Sequence, residues 1–142
     1  MDNRYTDIQM NGVEDHSSIH PSSIIPKAWV VFSGQSELFW VRFLKPGFRH
    51  CYVLLNDGNR WTSVDPLSPR TEIAVHHHVP PSFDLPGWLI ERGQKVVAAK
   101  VERTKNPAPF MPFSCVEAVK RILGIHCRRV LTPWQLYKFL SA

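Results

Sequence analysis

Short apolar, β-branched and aromatic runs separated by turn-forming clusters occupy the chain from residue 28 to about residue 101, and helical spacing of apolar positions takes over after residue 114. Residues 28–32 (AWVVF), closed by Ser33-Gly34, read as a buried strand. Residues 37–43 (ELFWVRF) form a second apolar run, compatible with either helix or strand, before Pro46-Gly47 turns the chain. Residues 50–55 (HCYVLL) and 60–65 (RWTSVD) flank Asp57-Gly58, a hairpin signal because a tight turn needs positive φ. Residues 71–77 (TEIAVHH) and 95–101 (KVVAAKV) are further predicted strands. Between them Asp84 caps a short helix over 85–92, which Gly93 stops in the left-handed conformation.

A proline-stiffened connection over 106–112 leads into the second half of the pattern. Ser114-Cys115-Val116-Glu117 has the spacing of a capping box, and Val116, Val119, Ile122 and Leu123 follow at helical intervals up to Gly124. Thr132 as cap and Pro133 in the first turn open a last helix, with Trp134, Leu136, Tyr137, Phe139 and Leu140 as its apolar content. The pattern predicts an α+β fold, a small antiparallel sheet packed against the helix that carries Cys115. Residues 1–26 are polar without a sustained period and are expected to form a flexible arm, leaving 27–142 as a single domain.

Composition removes several function classes. A chain of 142 residues with 44% apolar content has material for one core and not two. The three cysteines, Cys51, Cys115 and Cys127, are an odd number at wide spacings that match neither a disulfide framework nor a zinc ribbon, so a reducing compartment and no metal or cofactor are expected. No run approaches the roughly 20 apolar residues of a membrane span, and the N-terminus lacks the regions of a signal peptide, which predicts a cytoplasmic protein. The net charge of +5 is spread over scattered Lys and Arg. That spread argues against nucleic acid and fits attraction to an anionic surface or polymer such as bacterial cell wall.

The chemistry concentrates on Cys115. At the first turn of a helix the unpaired N–H groups and the positive end of the dipole favour thiolate over thiol, and the thiolate is the nucleophile. Such a nucleophile needs a base that can also protonate a leaving group. His16 and His20 fall in the predicted arm, His126 lies beside a helix stop, and His76-His77-His78 reads as a solvated strand end. His50, which opens a strand, is the remaining candidate. With Asp57-Gly58 as a two-residue turn, His50 falls opposite Asp65, which would then orient the imidazole; a one-residue slip would hand that role to Ser63, Thr62 or a backbone group. Cys51 points to the other face of the strand and is expected in the core. Trp61, Trp88 and Phe113 are candidate cleft residues.

Three segments, GFRHCYVLLNDG, RWTSVDP and PFSCVEAVKRILGI, resemble in their order the circularly permuted papain-like hydrolases related to NlpC-type cell-wall peptidases and the lecithin retinol acyltransferase group. The resemblance spans roughly residues 27–140. It implies a permuted papain-like domain in which Cys115, His50 and a polar residue on the following strand hydrolyse a peptidoglycan peptide or similar amide. Cys-Tyr follows the histidine here, where small residues are frequent in the cell-wall enzymes. Proteins of this type occur among bacteriophage genes, so the resemblance also carries an alternative: a catalytically retired binding or assembly module of a phage tail or baseplate, docked through its N-terminal arm and virion-associated.

Overall fold

In the computed structural model, residues 25–35 and 43–142 are described, so the predicted arm up to residue 24 and most of the 37–43 run lie outside the described residues. Five strands, β1 (Lys27–Ser33), β2 (His50–Asn56), β3 (Trp61–Pro66), β4 (Thr71–Val75) and β5 (Lys95–Ala99), form one antiparallel sheet in the order β4-β3-β2-β1-β5. Three helices accompany it: α1 (Leu85–Glu91), α2 (Cys115–Leu123) and α3 (Pro133–Ser141). The fold is therefore α+β.

Strand period decides how the layers form. In β1 the residues Ala28, Val30 and Phe32, with Cys51 and Val53 of β2, pack against Val116, Val119 and Leu123 of α2 and Leu136 of α3. The intervening Val31 and Leu54 point the other way and meet Trp61 of β3 together with Leu85 and Leu89 of α1. Both faces of the central strands are thus covered, which is why β1 reads as an unbroken apolar run rather than an alternating one. β4 is an outer strand and all five of its residues are exposed.

The β2–β3 hairpin departs from the expected two-residue turn. Asn56 pairs with Trp61, so the connection is the four-residue loop 57–60 and the register is displaced by two residues from the tight-turn expectation. Local bonds explain the wider loop: one oxygen of the Asp57 carboxylate accepts from the N–H groups of Asn59 and Arg60, both at 2.8 Å, and the Asn56 side chain accepts from the Gly58 N–H at 2.8 Å. Gly58 supplies the positive φ, at 91°. A displacement of two leaves every side chain on its expected face, because the strand period is two.

α2 begins as the sequence predicts, though with half of the capping box. Ser114 accepts from the Glu117 N–H at 3.1 Å, whereas the Glu117 side chain turns away into an ion pair with Lys120, at 2.9 Å, and a second with Arg121, at 3.2 Å. Lys120 is 1% exposed and also donates to the Val130 carbonyl at 3.1 Å, tying α2 to the segment that precedes α3. A buried ammonium outbids the helix cap for the carboxylate because an unpaired charge in the core is far costlier than an open N–H at a helix start. The complete capping box occurs instead on α3, between Thr132 and Gln135.

Candidate active site

His50 is the first residue of β2 and Cys115 the first of α2. Both stand at the ends of their elements and line one cleft of about 740 Å³, together with Asp65 near the end of β3. The Nε2 of His50 lies 2.6 Å from Oδ1 of Asp65, with side chains 17% and 30% exposed. The register displacement explains how the contact forms. Continued to this end of the hairpin, the observed ladder sets Tyr52 opposite Asp65 and His50 diagonal to it, still on the same face and within reach of a long side chain.

The side chains of Cys51 and His50 both act on the Cys115 sulfur and favour its thiolate. Nε2 of His50 is committed to Asp65, which leaves Nδ1 as the nitrogen able to exchange a proton with a thiol. Cys115 is held down at about 5, first by the Cys51 thiol and, against the opposing effect of burial, by His50. His50 titrates at about 9: burial disfavours its cation, and the hydrogen bonds to Cys115 and Asp65 outweigh that cost. Between those two values the pair rests as thiolate and imidazolium, the state from which a cysteine nucleophile attacks. The Cys51 thiol, fully buried and next to an anion, is pushed well above its ordinary range and stays protonated.

Sequence reasoning placed Cys51 in the core, where it is, and missed its second role as a donor to Cys115. The available signal was its position: it projects onto the sheet face that α2 covers. Of the other candidates for orienting His50, Ser63 is engaged elsewhere, its hydroxyl lying 2.9 Å from Nε2 of His76, and Thr62 alternates to the opposite face of β3. Two of the three proposed cleft aromatics are elsewhere. Trp61 is 2% exposed in the α1-side core, and Trp88 carries Arg92 over its ring. Phe113 does line the cleft.

Cys127 packs against the α2-side core. Among the described residues no cluster of His, Cys, Asp and Glu is arranged to hold a metal ion, and no helix is long and apolar enough to cross a membrane. A smaller groove of about 410 Å³ along β1 and β5 is lined by Ile25, Lys27, Trp29, Ala98, Lys100 and neighbouring residues, with no cysteine or histidine among them. In comparisons with models of protein families, with curated proteins and with solved structures, the chain matches none.

Proposed function

We propose that the chain is a cysteine hydrolase of permuted papain-like type that cleaves an amide or ester, with a peptidoglycan peptide or similar amide as substrate. One observation carries the reading: Cys115, His50 and Asp65 line one cleft, with the Asp65 carboxylate 2.6 Å from the His50 imidazole and the Cys115 thiol drawn down by its neighbours His50 and Cys51. The order of the three elements along the chain, histidine strand, polar strand and cysteine helix, supports the permuted arrangement.

In the first step the Cys115 thiolate attacks the carbonyl carbon. The oxyanion that develops lies at the start of α2, where the unpaired N–H groups favour negative charge. His50 then gives its proton to the departing amine or alcohol as the carbon–heteroatom bond breaks, leaving a thioester on Cys115 and a neutral imidazole. Water attacks the thioester with His50 taking its proton, the acid is released, and the ion pair is restored. Asp65 holds the ring in the orientation both proton transfers need and favours its charged form.

The test joins labelling to turnover. A thiol-selective electrophile should modify Cys115 in preference to Cys127 at pH 6, above the value of about 5 at which Cys115 is held. A panel of peptidoglycan fragments and small amides should contain a substrate hydrolysed by the wild type and untouched by Cys115→Ala. Absence of preferential labelling at pH 6 would instead support the retired binding module.

A further inference from the structure

Arg49 precedes His50 in the chain and lines the same cleft. Its Nε is buried and finds no hydrogen-bond partner among the described residues. The other charged groups of the cleft are already matched, since His50 pairs with Asp65 at 2.6 Å and favours the neighbouring Cys115 thiolate. Arg49 thus brings to the cleft wall a guanidinium whose buried Nε–H lacks an acceptor among the described residues, and buried polar groups of native proteins are seldom left so. A guanidinium presents its N–H groups as a planar fork that fits a carboxylate with two parallel bonds.

Part of the wall that meets solvent is apolar, beside the exposed polar Gln35 and Ser68. Phe113 is 67% exposed and Leu131 55% exposed, and both line the cleft along with Leu67 and Leu44. Large apolar side chains left in the open around a concave polar centre are the usual composition of a small-ligand site.

We infer that the cleft takes an acyl substrate bearing a carboxylate, held by Arg49, beside an apolar group seated against Leu67, Phe113 and Leu131. The inference rests on the cleft being the substrate site of the reading above, and it names the substrate class. A peptide with an acidic residue next to an apolar one meets both requirements.

Binding to the full chain carrying Cys115→Ala tests this without depending on turnover. The probes are N-acetyl-Phe-Glu-amide and its neutral isostere N-acetyl-Phe-Gln-amide, measured by calorimetry. The glutamyl peptide should bind about tenfold more tightly, a preference that weakens as salt is raised. Arg49→Gln in that background should bring the two affinities together, and Arg49→Lys, which keeps the charge without the fork, should retain part of the difference. Circular dichroism of each variant identifies any that fails to fold, in which case the lysine variant and the salt series decide. Equal binding of the two peptides, binding of neither, or a preference that survives Arg49→Gln would overturn the inference. A wild type that hydrolyses nothing, with the glutamyl preference intact, would overturn the hydrolase reading and leave the anion site standing.

Discussion

Asp65→Asn removes a charge from the candidate site while keeping its shape, and the structure sets what that change should do. The Asn carbonyl can still accept from Nε2 of His50 across the 2.6 Å contact, so the ring keeps its orientation and loses only the anion that favours its cation. His50 stands at about 9 against an ordinary 6.5, a lift that Cys115 and Asp65 share against burial, with the Cys115 hydrogen bond the larger of their contributions. A carboxylate beside a titrating group shifts it by about one pKa unit or more, or about 1.4 kcal/mol per unit. The alkaline limb of kcat/KM, which reports loss of the imidazolium, should then move from about 9 to about 8.

The sign and the pH window make the result specific. At pH 7 His50 is still mostly protonated in the variant, so activity near neutrality should fall little through this route. At pH 9 the protonated fraction drops from about one half to about one tenth, a loss of about fivefold in the competent ion pair. The acid limb, set by Cys115 at about 5, should stay nearly in place. The assay is a pH–rate profile on any substrate found in the panel, paired with an NMR titration of His50. Ser63→Ala, whose hydroxyl serves His76, and Thr62→Val, on the opposite face, should leave the alkaline limb unmoved. An alkaline limb that is identical in wild type and Asp65→Asn would show that the carboxylate does not sustain the imidazolium.

Three further predictions follow from other contacts. Cys51→Ala removes the largest influence holding Cys115 down, so the midpoint of Cys115 alkylation against pH should rise from about 5 by about one unit or more, whereas Cys51→Ser keeps a donor and should rise less. Lys120→Met leaves Glu117 buried with only the half-exposed Arg121 as partner and should cost about 3 kcal/mol in denaturant unfolding, with Glu117→Gln in the same chain recovering part of the loss. Gly124→Ala, at φ 76° with the new Cβ 2.1 Å from the Glu102 carbonyl oxygen, should lower stability by more than about 1 kcal/mol in the same assay.

The elements were legible because their signals are local. The apolar run of β1, the cap and left-handed stop of α1, the serine start of α2 and the Thr132-Pro133 opening of α3 each depend on a few neighbouring residues, and the structure places each where those residues predict. The hairpin length was not legible, since Asp57-Gly58 suits a two-residue turn and a four-residue loop alike. What chose between them is the set of side-chain bonds that Asn56 and Asp57 make to the loop backbone. The partner of Glu117 was hidden for a different reason. Its competitor for the cap is Lys120, whose burial and bond to the Val130 carbonyl are tertiary facts that no capping motif records.

At the site itself, the two side chains bonded to Cys115 are sequence neighbours on opposite faces of β2. Alternation assigns His50 and Cys51 to different layers of the protein, and through most of a strand that would keep them from sharing a partner. They share one here because His50 is the strand's first residue, where no further sheet separates the faces and the start of α2 can meet a side chain from either side. One consequence is mechanical. Cys51 sits in the α2-side core with Phe32 and Val119, so the donor with the largest hold on the Cys115 thiolate is as rigidly placed as the fold itself. His50, at the cleft, is left free to exchange protons. A stationary donor from the core adds to the hold that His50 has on the thiolate, so the low nucleophile pKa does not rest on the proton-carrying side chain alone.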